Sequence, residues 1–567
     1  MKRIAIFLLM GAGCLSLGWA AYQLSGPGRT SLSGYAPAGA LLYLEAKDFS
    51  SLLSDWNGSP QKQEWLKSDN YEVFSRSRLF LRLQGAGQQF AAAAGLPRDM
   101  GFLRQVAGGE SALALYDIGK LQLLYITRLP SGHPVESALW ETRSKFETRS
   151  AGGTTFYLRR DPESGREVEF AVSGDYMLLA TREDLMAGAL QLMAGSKDHT
   201  ITSESWWSQS VAAAGPAGDL RLVLNLEKIV PSPYFRSYWV QRNITDTKQY
   251  AAGISDLFRS SGEYREERVL LRKTTAAKPP MEGPRAVADL LRLVPENAGF
   301  YEAEADPSTE MCFDLLATKI LAPHVGPAPA SQLAPQVQLT SGATGAGTDL
   351  ETRIDQAPVQ HGVTAEGVSA LKALLQKNPV RAALSVQGSE RDHDGVFVRI
   401  HTAVGLAGSA NWDEASVVGA LVNYVRPDLT VGQLGVGWQP RSGYQALDGL
   451  RTLLAAVRGK YLLVSDDPTL MEGMLANMDH KPISGSVVFA ASFDHRRERE
   501  NFARFFSVID RPNLNPSQTP GAAQEPEFFS QDIGSLSSVL TGLRSENIVL
   551  RDSGDKVLET VVYKWSK

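Results

Sequence analysis

The segment VSGDYMLLATREDLMAGALQLM at residues 172–193 returns without a gap as VRGKYLLVSDDPTLMEGMLANM at residues 457–478. Val172 matches Val457, Gly174 matches Gly459, Tyr176 matches Tyr461, Gly188 matches Gly473 and Met193 matches Met478. Each copy reads as a strand, a tight turn on the glycine, a second strand and a helix opened near Thr181 or Asp466 by a side chain able to cap free amides. The helical part carries one apolar stripe, Leu185, Met186, Ala189, Leu190 and Met193, repeated as Leu470, Met471, Met474, Leu475 and Met478. A glycine inside a helix costs about 1 kcal/mol relative to alanine. Gly188 and Gly473 are therefore expected where a neighbouring backbone approaches closely.

A second anchor stands earlier. Pro37 to Tyr43 and on to Asp48 parallels Pro295 to Tyr301 and on to Asp306. The spacing between copies is wider at the Val172–Val457 anchor than at the earlier Pro37–Pro295 one, so the second half must hold insertions. The low-complexity stretch at about 323–362 is the plainest one; further on, Arg511 to Pro526 reads as another long loop. These features divide the chain into a first α+β repeat domain at 36–277, a linker at 278–288 marked by Pro279, Pro280 and Pro284, and a second repeat domain at 289–567.

Strands are expected in the first half near 111–117, 121–128, 154–160, 167–173, 176–180, 219–226 and 265–273. Helices are expected near 50–56, 60–82, 137–148, 183–194 and 234–241. The second half echoes this with strands near 380–386, 396–403, 453–457, 461–465, 485–493, 546–551 and 557–564. The strands come in hairpins, not in alternation with helices. This predicts an α+β fold of two tandem similar domains, mainly antiparallel sheet with helices packed on a face.

The N-terminus supplies the address. Lys2 and Arg3 precede an apolar run, and no further charge follows until Arg29. Residues 1–24 read as a signal peptide or membrane anchor, long enough to span a bilayer at about 20 residues, and 25–35 as a flexible tether. Three fates are open: retention as an anchor, cleavage after Ala20, and lipidation at Cys14. Gly11 stands where a lipidation site carries a large aliphatic residue. The charge pattern places the remainder outside the cytoplasm, on the periplasmic side of the inner membrane, or secreted if cleaved.

The 57 Lys and Arg nearly balance 62 Asp and Glu, and no basic run exists to track a phosphate backbone, so nucleic acid is not the expected partner. The two cysteines are Cys14 and Cys312. The exported body thus has no pair to make a disulfide, and Cys312 reads as a small buried hydrophobe on a helix.

The Pro37–Asp48 entry, the series Trp56, Ser59, Trp65, Ser68, the Gly109–Asp117 strand and the Val172 unit together resemble a group of exported, membrane-anchored bacterial proteins catalogued only as a domain of unknown function. The resemblance covers nearly all of the first half and, more loosely, the second. It implies an envelope protein with an N-terminal membrane segment, and it transfers no catalytic residue.

Ser59 with Lys62, Ser68 with Asn70, and Lys273 with Thr275 imitate the three motifs of serine penicillin-recognising enzymes, but Ser68 follows Ser59 too closely for motifs that converge from separate elements. Asp392, His393 and Asp394 before Gly395 read as a solvated hairpin turn. His401 follows on the next strand, and His495 lies in a mixed-charge helix start. The aromatic stretch Tyr234, Phe235, Tyr238 and Trp239 reads as a core-facing helix, comparable with Phe502, Phe505, Phe506 and Ile509. No catalytic, cofactor-binding or metal-ligating residue is assigned. The expected function is a non-enzymatic cell-envelope protein with paired binding or scaffold domains for an envelope protein, lipid or glycan. The alternative is an envelope hydrolase acting on a polymeric or peptidoglycan-type substrate.

Overall fold

The computed structural model describes residues 31–97, 101–130, 133–162, 165–233, 247–275, 280–321, 365–391, 398–429, 437–448, 452–483, 485–501 and 540–566. The membrane segment with Cys14, the 323–362 insertion, the 392–395 turn, the aromatic stretch from Tyr234, the Phe502–Ile509 stripe and the Arg511–Pro526 loop lie outside these residues. Among the described residues no helix is long and apolar enough to cross a membrane. The fold is α+β with extensive antiparallel sheet. The chain separates into two units, one of residues up to Ser59 together with Ser75–Asp256, the other Pro60–Phe74 together with Leu257–Lys567.

In the first unit the strands are β1 (Leu42–Ala46), β2 (Glu110–Asp117), β3 (Gln122–Arg128), β4 (Glu147–Ala151), β5 (Thr154–Arg160), β6 (Glu167–Ser173), β7 (Tyr176–Ala180) and β8 (Leu220–Leu224). They pair antiparallel in the order β8-β1-β2-β3-β7-β6-β5-β4. Both faces of β6 and β7 are covered. Val168, Phe170, Met177 and Leu179 join a core with Ala91, Ala94, Leu96 and Phe102. Alternation turns Glu169, Ala171, Leu178 and Ala180 to the opposite face, where the Glu183–Met193 helix buries Leu185, Met186, Ala189 and Leu190. β9 (Tyr250–Ser260) runs through the boundary between units.

The second unit contains β10 (Glu263–Arg272), β11 (Phe300–Ala305), β12 (Val380–Arg391), β13 (Val398–Gly408), β14 (Trp438–Pro440), β15 (Gln445–Asp448), β16 (Thr452–Arg458), β17 (Tyr461–Ser465), β18 (Phe489–Asp494), β19 (Leu543–Asp552) and β20 (Lys556–Trp565). Their order is β10-β20-β19-β18-β11-β12-β13-β17-β16-β15-β14, again all antiparallel. From β18 to β14 this is the first unit's order with every strand number raised by ten. Two apolar cores alternate along the strands. Val404, Leu453, Leu462 and Val464 pack with the Thr309–Leu316, Ala365–Lys377 and Glu414–Leu429 helices. Ala403, Leu454, Ala456 and Leu463 pack with the Glu282–Leu291 and Pro468–Ala476 helices. Helices thus lie on two faces of the sheet and not on one, because both alternating sets of side chains on its central strands are apolar.

Several expectations are revised. The 60–82 helix is broken into Pro60–Lys67, Asp69–Ser75 and Arg78–Ala94, since Ser68 and Ser77 accept from the amides of Tyr71 and Phe80 and open new helices. The 137–148 helix stops after Glu141 in a short 3-10 turn and gives way to β4, paired with β5. The expected 278–288 linker carries the Glu282–Leu291 helix, whose Pro284, Ala286, Val287 and Ala288 are buried. β10 groups with the second unit through nine paired positions on β20.

Candidate functional site

The repeated segments make the same local structure. β6 and β7, and likewise β16 and β17, are joined by two-residue turns whose glycines have φ +59° at Gly174 and +57° at Gly459, a region only glycine enters without strain. The cap assignment is corrected. The Glu183–Met193 helix is preceded by Arg182 with no side-chain cap, and the Pro468–Ala476 helix is capped by Asp467, which accepts from Leu470 N. Thr181 and Asp466 instead bind the neighbouring strand. Leu123 N donates to Thr181 Oγ1 at 2.9 Å and Thr402 N to Asp466 Oδ1 at 2.7 Å. The helix glycines meet a proline ring, not a backbone. A Cβ on Gly188 would lie 3.0 Å from Pro37 Cγ, and one on Gly473 would lie 2.7 Å from Pro295 Cβ. The two sequence anchors therefore touch each other within each unit.

A third matched pair lies at the end of β8 and β18. Asn225 N donates to Leu41 O at 2.9 Å and Asp494 N to Gly299 O at 2.8 Å. Each side chain then caps a helix, accepting from Lys228 N and Arg497 N respectively.

Against this shared frame the polar side chains differ. Glu169 on β6 is fully buried, and neither carboxylate oxygen has a well-aligned hydrogen-bond partner; the nearby Arg182 backbone N–H offsets the burial only in part. Burial, reinforced by Glu167, pushes its pKa up to about 8. The matching position on β16 is Leu454, also buried. In the second unit His401, on β13, has its Nε2 3.3 Å from Glu390 Oε2 without forming a hydrogen bond, and its Nδ1 lies 3.9 Å from both Asp466 Oδ1 and Asp467 Oδ2. The matching positions in the first unit are Gln122, Thr181 and Arg182, where Arg182 Nη1 donates to Gln122 Oε1. His495 stacks edge-on against Phe493 with ring centroids 4.6 Å apart.

The other sequence candidates serve packing. Ser59 Oγ donates to Trp56 O and Ser68 Oγ to Trp65 O, so both hydroxyls finish helix turns. Cys312 is buried on the Thr309–Leu316 helix, and burial pushes its thiol up to about 12. Among the described residues no group of three or more His, Cys, Asp or Glu could hold a metal ion.

Sequence reasoning missed the candidate cleft of the second unit. The Ser261–Gly262 turn, the start of β19 and the end of β20 border an open cleft of about 450 Å³ lined by Arg496, Arg544, Lys564, Glu263, Asp494 and Trp565. Trp565 N donates to Gly262 O at 2.8 Å, which holds the turn against the end of β20. The indole N–H of Trp565 is buried with no partner. These residues come from four separate stretches, so no local pattern could announce them. Glu169 did leave a signal: extending the repeat three residues upstream sets it opposite Leu454.

No family model matches the chain, and no curated protein matches it. Two crystal forms of a protein titled TP0453 are similar at 12% identity and a TM-score of 0.24. Form I covers 44% of this chain and 81% of its own, and form III covers 48% and 90%. At that score the likeness establishes no common fold.

Proposed function

We propose that this chain is an exported, non-enzymatic bacterial cell-envelope protein built from two tandem copies of one α+β domain. Its N-terminal segment would hold it on the periplasmic side of the inner membrane, and its paired domains would bind an envelope protein, lipid or glycan. The observation that carries the duplication is the repeated strand order, with the Pro37–Gly188 and Pro295–Gly473 contacts in matching places. The binding role is supported by the charged cleft, where cations, acids and a tryptophan side chain converge. The carboxylates beside His401 are already engaged: Asp466 holds Thr402 N and Asp467 caps a helix.

A second reading, an envelope hydrolase on a polymeric or peptidoglycan-type substrate, is favoured by one observation. The His401 cluster has no counterpart in the first unit, and a histidine flanked by carboxylates is a common general base. Cross-linking in intact cells, followed by purification of the full chain, tests the choice. The binding reading expects the same envelope component with wild type and with His401→Ala. Hydrolysis of peptidoglycan by the purified chain, abolished by His401→Ala, would overturn it.

A further inference from the structure

We propose that the cleft at the end of the second unit's sheet binds a saccharide bearing a carboxylate. The inference rests on the binding-protein reading and gives it a ligand class. Three features of the lining argue together.

The first is the aromatic wall. Trp565 lines the cleft, and its ring packs against Tyr264 with centroids 5.7 Å apart. The indole offers a flat apolar surface for the C–H face of a sugar.

The second is the charge. Arg496, Arg544 and Lys564 are exposed at the cleft. Arg496 and Lys564 form no ion pair with a described residue, and Arg544 makes only a 3.4 Å contact to Ser566 Oγ. These cations can converge on one anionic group, and an arginine matches a carboxylate in two-point geometry.

The third is the pair of acids. Glu263 and Asp494 would repel a small bare anion, but Glu263 and the Asp494 Oδ2 left over from capping supply the acceptors that hydroxyl groups require. A polyhydroxylated ring with one negative charge answers all three features, and the volume lies within the ordinary range for small-ligand sites. Phosphate alone would leave the acids and the rings unused.

The test uses the full chain purified in detergent micelles and titrated calorimetrically with three probes. These are a disaccharide of glucuronic acid and N-acetylglucosamine, the neutral disaccharide of N-acetylglucosamine, and inorganic phosphate. The acidic disaccharide is expected to bind, more weakly as salt rises, and both other probes at least about tenfold more weakly. Arg496→Ala with Lys564→Ala should lose about tenfold in affinity without changing the thermal melt, because both side chains are exposed. Failure of the acidic disaccharide to bind, equal binding of the neutral sugar or of phosphate, or unchanged affinity in the double variant would each overturn the proposal. These results are read on purified protein, so they stand apart from whether the chain is exported.

Discussion

Replacing Glu169 by leucine, the residue at the matching position of the other half, is expected to stabilise the first unit at neutral and alkaline pH. The carboxyl is buried between Leu158 and Ala180 on the neighbouring strands, with no well-aligned hydrogen bond to either oxygen. Its pKa rises from the ordinary 4.5 to about 8, so the folded chain keeps a proton that the unfolded chain releases. Its contribution is therefore most favourable below about 4.5 and is lost progressively as pH rises through 8. At about 1.4 kcal/mol per unit, the cost of holding that proton at pH 7 is ~3 kcal/mol. Leucine is of similar volume, and repacking takes back under about 1.5 kcal/mol. A net gain of about 2 kcal/mol at pH 7 corresponds to a Tm rise of roughly 4–8 °C for a unit of this size. The assay is a thermal melt of wild type and Glu169→Leu at pH 5, 7 and 9, with hydrogen exchange of the β6 amides to locate the effect. The gap between the two proteins should be small at pH 5 and widen towards pH 9. A gap that does not change with pH, or a variant less stable at all three, would refute the reasoning.

Three further outcomes follow from packing. Gly188→Leu and Gly473→Leu should each destabilise their own unit by about 1–3 kcal/mol, through overpacking against Pro37 and Pro295, despite leucine's better helix propensity; neutral melts would contradict the close contacts. Arg221 grips the buried Asp256 with both ends of its guanidinium at 2.7 and 2.8 Å. Asp256→Ala should therefore cost about 3–5 kcal/mol in denaturant unfolding by leaving the arginine unpaired. Cys312, whose thiol is pushed up to about 12, should stay unlabelled by a thiol reagent at pH 8 until the chain unfolds; rapid native labelling would show it is accessible.

Local periodicity carried most of the fold. Strands such as Tyr176–Ala180 and Tyr461–Ser465 are short apolar runs bounded by turn glycines, and they sit where expected. What failed depended on partners far along the chain. Tyr250–Ser260 was not expected as a strand because Asp256 interrupts its pattern, and its acceptability comes from Arg221. The capping roles given to Thr181 and Asp466 were reassigned because β3 and β13 present free amides beside them, which no local reading shows. Helices on two faces of the sheet could have been anticipated from the continuous apolar runs Leu453–Val457 and Tyr461–Val464, since a strand open on one face alternates. The cleft was illegible for a different reason: its cations lie on a helix start and two strand ends, brought together by strand pairing alone.

The export of the body underlies the proposed role, and a phosphatase reporter active only outside the cytoplasm, fused after Lys567, tests it most directly. The account predicts activity in intact cells, with the fusion retained on the membrane or released if the leader is cleaved after Ala20. A full-length fusion that is inactive, paired with an active cytoplasmic reporter at the same position, would contradict it.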